Sequence, residues 1–397
     1  MIGSSVTVVV PTRNRREEVI ATIRSVLASN HPDTRVAVFD NCSTDGTASA
    51  VHETFGTRVV VQRSSSPLAM VDSFEHAYEM VETQWVLGVG ADDGLHPRAI
   101  SRMLLLAEEH GTRAVTPLRA GYMWPDASEG TGGELRIPPL RPDRVVSSRE
   151  AVRRVLSGRM KWYFLPSGYA GLLDATILDE LRKRNGRVFT SVTPDLGMNF
   201  SVARELDRYV VCGEPLYVAG TSGSSNGASQ FGSGDPAVAR EFWNLNSQAS
   251  VPLHPQMAAV HAQLPPSMRV IALEAFLQAG GPIGLREKVL TAPVVQAWLA
   301  WGSRAEPDLW WRGWEARYID RTGTRLLWRA AVRMKRYWAM TLTLRQYGRV
   351  AIGRILGVFG LHLRRPIPKH AFIEKNVPTL GEAIALLERR VWRPPVG

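Results

Sequence analysis

The run Val86-Leu-Gly-Val-Gly-Ala-Asp92-Asp93-Gly-Leu-His-Pro97 closes an apolar segment with two adjacent carboxylates, followed at once by a break and a helix-opening proline. Two ionised carboxylates side by side at the end of a strand repel each other and lose hydration, so something must offset them. A divalent cation would do so. Mn²⁺ and Mg²⁺ are hard ions that take oxygen ligands and leave positions open for phosphate oxygens, which makes Asp92 and Asp93 the expected metal ligands. The competing reading is an N-terminal cap for the helix that Pro97 opens, since Asp-Asp-Gly suits that place on its own.

Upstream, apolar and amphipathic segments alternate. Residues 6–10 are a run of valine and threonine, as a strand buried on both faces requires. Residues 15–29 place Val19, Ile23, Val26 and Leu27 at helical spacing. Strands are expected at 36–39, 58–62 and 85–89, with helices reaching Phe55 and spanning 66–82 between them. This alternation predicts an α/β fold with a mostly parallel, Rossmann-like sheet. Ligands in such sheets bind beyond the carboxyl ends of the strands. Three polar clusters, at 11–14, 40–45 and 92–93, fall at such ends and so share one edge.

Further along, 121–144 is rich in Gly and Pro and reads as an irregular excursion. Residues 149–156 and 172–184 look helical, 208–212 look like a strand, and 219–234 form a Gly/Ser loop. A boundary near residue 240 divides an α/β domain (1–240) from a basic, Trp-rich, mainly helical C-terminal domain (241–397).

With 397 residues, 45% hydrophobic and 21% charged, the chain is globular and long enough for two domains. Its two cysteines, Cys42 and Cys212, are far apart and form no Cys-x-x-Cys pair, which excludes a disulfide framework and points to a reducing cytoplasm. Neither a secretory leader nor a bilayer-spanning segment is expected. The net charge of +11 is concentrated between residues 321 and 365, which hold no acidic residue. There Arg321, Arg325, Arg329, Arg333 and Arg336 recur at helical spacing among tryptophans and tyrosines. Two readings stay open: peripheral docking on the anionic inner face of a membrane, or a solvated helix face packed by its apolar side.

The acidic residues suit nucleotide chemistry. Asp40, ending a strand before Asn41, either holds a base or ribose or caps its own turn. Asp195, in Ser191-Val-Thr-Pro-Asp195, is either a general base or part of a helix cap. Thr221, Ser222, Ser225 and Asn226 could present amides and hydroxyls to a diphosphate, or belong to a plain connector. There is no Gly-x-Gly-x-x-Gly after the first strand, no phosphate-binding GxxxxGK[ST] and no Gly-x-Ser-x-Gly.

Val8-Val-Val-Pro-Thr-Arg-Asn14, Asp40-Asn-Cys-Ser-Thr-Asp-Gly46 and Gly90-Ala-Asp-Asp93 together resemble the family 2 glycosyltransferases of GT-A fold, over about residues 5–230. The resemblance implies an inverting, metal-assisted transferase acting on a nucleoside-diphosphate sugar, a UDP-sugar first, and on a hydroxyl acceptor that a lipid could carry. It implies that Pro11, Thr12 and Asn14 line the donor pocket, that Asp40 reads the base, and that Asp195 is the base; Arg13, Asn41 and Asp72 are further expected donor contacts. Gly90 departs from a full Asp-x-Asp motif. The rivals are a nucleotidyltransferase, for which a Gly-rich basic loop after the first strand is missing, and a noncatalytic anion-binding protein. Nucleic acid is not an expected partner.

Overall fold

The computed structural model describes residues 4–127, 130–156, 159–225, 236–254, 268–281 and 371–392. Compactness separates a unit of Met1–Pro255, Ile271–Pro282 and His370–Gly397 from one of Gln256–Val270 and Ile283–Lys369. Nearly all described residues belong to the first unit. The division is therefore not a single cut near residue 240, because residues 371–392 return to the α/β unit. The arginine stripe at 321–336 and Asn226 lie outside the described residues.

The chain opens with β1 (Val6–Thr12), α1 (Arg16–Leu27), β2 (Thr34–Asp40), α2 (Thr47–Phe55), β3 (Val59–Arg63), α3 (Met70–Glu79) and β4 (Trp85–Gly88). Next come β5 (Gly94–Leu95), α4 (Ala99–His110), β6 (Ala114–Thr116), β7 (Arg119–Met123), β8 (Glu134–Ile137) and β9 (Arg144–Ser147). Then follow α5 (Ser148–Leu156), β10 (Leu172–Asp174), α6 (Thr176–Asn185), α7 (Pro194–Glu205), β11 (Arg208–Val211) and β12 (Tyr217–Thr221). The last described elements are α8 (Pro236–Asn246), α9 (Met268–Gln278), β13 (Phe372–Glu374) and α10 (Leu380–Val391).

Among the described residues eight strands form the main sheet in the order β3-β2-β1-β4-β10-β6-β11-β9, the first four parallel. Val6, Val8, Val9 and Val10 are fully buried, as expected of a strand covered by helices on both faces. The register sets Thr12 opposite Asp40, so β1 and β2 release their polar clusters at one level. Leu172–Asp174 is a strand and not the start of a helix. Its buried leucines insert antiparallel between β4 and β6, and helix α6 begins only at Thr176. A short apolar run that feeds an amphipathic segment cannot be told from that segment's first turn by periodicity.

The stretch 121–144 is likewise more ordered than its composition suggests, since β7, β8 and the start of β9 fall within or beside it. β7 and β8 join β12, β5 and β13 in a second sheet, ordered β13-β8-β7-β12-β5. Its apolar face, with Ala120, Tyr122, Leu135, Ile137 and Val218, is covered by Leu380, Ala383 and Leu387 of α10. Thr379 caps α10 by accepting the Glu382 N–H at 3.2 Å, and the Tyr122 hydroxyl donates to the Val377 carbonyl at 3.0 Å. Among the described residues no helix is long and apolar enough to cross a membrane.

Candidate functional site

A cavity of about 570 Å³ opens at the carboxyl ends of β1 and β4, and its rim takes residues from segments spread over the whole α/β region. Of the residues singled out from sequence, Pro11, Thr12, Arg13, Asn14, Asn41, Asp92, Asp93, Asp195, Thr221 and Ser225 line it. Asp40, Asp72 and Ser222 do not; the buried Ser222 reaches the rim only through its hydrogen bond to Asp92.

Each part of the rim is tied down by its own contacts. Asn14 sits at φ 50°, a left-handed conformation that Asn tolerates well. Its side-chain oxygen accepts the Thr44 N–H at 2.8 Å, and its own N–H donates to Ser43 Oγ at 2.8 Å, so two strand-end loops are stitched together. Arg13 donates to the Asn41 carbonyl at 2.7 Å and pairs with Glu241 of α8 at 2.7 Å. The Asn41 amide grips the backbone of Leu68 in both directions, at 2.9 and 2.8 Å.

Asp40 is fully buried away from this rim. It accepts from the backbone and hydroxyl of Ser43 and pairs with Arg63 at 3.2 Å, which makes it a turn-capping residue, while its neighbour Asn41 reaches the cavity. Asp72 is also engaged elsewhere: it binds Arg187 at 2.9 Å and the backbone N–H and hydroxyl of Ser250. Both carboxylates are thus held by partners outside the cavity lining. A strand-end or first-turn carboxylate looks the same in sequence whichever way its partners pull it.

Asp92 and Asp93 part ways although adjacent. The Asp92 Oδ2 receives Arg15 at 2.6 Å, Ser225 at 2.6 Å and Ser222 at 3.1 Å. Burial pushes its carboxyl up, but Arg15 and the two hydroxyls outweigh burial and hold it below the ordinary aspartate range. Asp93 turns into the protein. Its Oδ1 accepts Gly220 N–H at 2.7 Å, and its Oδ2 accepts the Tyr217 hydroxyl at 2.5 Å and the Gly90 N–H at 3.2 Å. Burial, then the charge of Asp92, pushes the Asp93 carboxyl up to about 7. Neither aspartate caps α4, whose N-cap is Arg98.

Gly90 has a steric reason. A Cβ there would overlap the Asp93 carboxylate and lie 2.6 Å from the Tyr169 hydroxyl, so no first aspartate of an Asp-x-Asp motif fits. Set against Mn²⁺ or Mg²⁺, the pair is a poor chelate: both Asp93 oxygens are bonded inward, and a guanidinium already faces Asp92.

Asp195 lies in the first turn of α7, behind Pro194 in the position where a proline costs no hydrogen bond. Burial raises its carboxyl, opposed by the Leu196 backbone and by Arg119. No side chain caps α7. Four further lining residues carry no motif: Arg15, Arg119, Trp162 and Tyr169. Arg15 was within reach of sequence reasoning, as it directly follows the 8–14 cluster. Arg119 is brought by β7, which the sequence did not disclose.

Residues 7–162 match the family described as glycosyl transferase family 2. That part of the chain is a family 2 glycosyltransferase domain of GT-A type, and Asp195 lies beyond the matched residues. No curated protein matches the sequence. Among solved structures, TarS 1–349 of S. aureus in complex with UDP is 18% identical at a TM-score of 0.47, covering 80% of this chain and 92% of that one. TarS 1–349 in complex with UDP-GlcNAc is 17% identical at a TM-score of 0.47, with the same coverage.

Proposed function

We propose that the cavity binds a nucleoside-diphosphate sugar, a UDP-sugar being the first candidate, and transfers the sugar with inversion to a hydroxyl acceptor. The observation that carries this reading is the meeting of residues 11–15, Asn41, Asp92 and Asp195 on one cavity of a family 2 domain. Asp195 takes the proton of the acceptor hydroxyl. The acceptor oxygen bonds to the anomeric carbon as the bond from that carbon to the diphosphate oxygen breaks, and the electron pair leaves on the diphosphate. Burial of Asp195 suits this role, because a carboxylate held above its ordinary range is a stronger base.

The test is turnover of UDP-, dTDP- and GDP-sugars, followed by release of free nucleotide with and without glycoside acceptors. Asp195→Asn is expected to lower kcat by about 10²- to 10⁴-fold, the usual weight of a general base, while leaving nucleotide binding intact. Full turnover in that variant overturns the assignment.

A further inference from the structure

We propose that the positive charge facing the donor diphosphate is supplied by Arg15 and Arg119, in place of a divalent cation. This rests on the donor-site reading above and concerns the chain's own side chains at the acidic pair. Asp93 has no oxygen turned to the cavity without a partner: Gly220, Tyr217 and Gly90 use both. Position 90 excludes a further carboxylate. Among the described residues no three His, Cys, Asp or Glu side chains gather where they could hold a metal.

Cations of another kind are present. Arg15 reaches Asp92 at 2.6 Å with one nitrogen, and the other donates to the Ser224 carbonyl at 2.7 Å, which fixes the guanidinium against the β12 loop. Burial pulls the Arg15 value down, but the charge and hydrogen bond of Asp92, with Glu18 and Tyr169, together outweigh it, so the group stays charged. Arg119 stacks over Trp162, Tyr163 and Tyr217, with its guanidinium carbon 5.3 to 5.8 Å from the ring centres. It makes no ion pair among the described residues; its Nη2 donates to the Tyr163 carbonyl at 3.3 Å, and its buried Nε has no hydrogen-bond partner. Both arginines line the cavity. A guanidinium is permanently charged and offers two parallel N–H groups to a pair of phosphate oxygens, which is the recognition a diphosphate needs. In this arrangement Asp92 orients Arg15 and competes with the incoming phosphate for it.

The experiment is calorimetric titration of the full chain with UDP, dTDP and GDP, first in excess EDTA and then with Mn²⁺. One of the three is expected to bind in EDTA, with an affinity that Mn²⁺ changes by less than about threefold. Arg119→Gln, which breaks no ion pair, is expected to weaken that binding by about tenfold or more, the weight of one charged hydrogen bond. Asp92→Asn frees Arg15 from its competitor and is expected to tighten it. Thermal unfolding of each variant separates lost binding from a lost fold. Tightening by Mn²⁺ of about tenfold or more, abolished in Asp92→Asn, overturns the inference and leaves the donor site standing. Unchanged binding in both Arg15→Gln and Arg119→Gln also overturns it. Failure of every nucleotide to bind under either condition overturns the donor site and the inference with it.

Discussion

Asp195 and Asp93 are both pushed up by burial, with opposite consequences. As a base, Asp195 works only when ionised, so kcat/KM is expected to rise with pH along an acid limb displaced above the ordinary aspartate value. A pH–rate profile with its limb at or below that value contradicts the role. Asp93 acts on stability. Between the ordinary aspartate range and about 7 the folded protein keeps a proton on Asp93 that the unfolded chain has lost, so this contribution falls as pH rises across that window. Denaturant unfolding is expected to show wild type losing its margin over Asp93→Asn as pH climbs through the same interval. Asp92, Asp93 and Asp195 were legible as residues of one rim because each sits at an element boundary that sequence marks. The inward turn of Asp93 was not, because it is set by Tyr217 and Gly220, more than a hundred residues away.

At the scale of elements, the junction of β12 with the acidic loop is a contact that only glycine allows. A Cβ on Gly220 would overlap the Asp92 carbonyl and come 2.9 Å from Trp124 Nε1, which itself donates to that carbonyl at 2.8 Å. Gly220→Ala is expected to lower the melting temperature by several degrees and to weaken nucleotide binding, both measurable by thermal shift with and without ligand. The first four strands and their helices were readable because their patterns are long and regular. β7, β8, β9 and β10 were not: they are three to five residues each, and two of them lie in Gly- and Pro-rich sequence. Short strands are specified by the partners beside them more than by their own pattern.

On the scale of the whole molecule, the α/β unit is assembled from both ends of the chain. Leu380 is fully buried against the second sheet, and Leu380→Ala is expected to cost about 2 to 5 kcal/mol in denaturant unfolding, as buried leucine truncations do. Trp392 adds a hydrogen bond to Glu214 at 3.0 Å and stacks on His96, whose ring burial drives down to about 4 and so keeps neutral near pH 7. Sequence placed these residues with a separate basic domain because composition shifts after residue 240, whereas long-range packing leaves no local mark.

The return of β13 and α10 to the second sheet also fixes an order of events during synthesis. The sheet that carries Arg119 and Gly220 gains its edge strand and its covering helix only when residues 371–392 have been translated and have cleared the ribosomal tunnel. A nascent chain halted earlier presents the apolar face of Tyr122 and Ile137 to water, so it is a client for chaperones before it is a transferase.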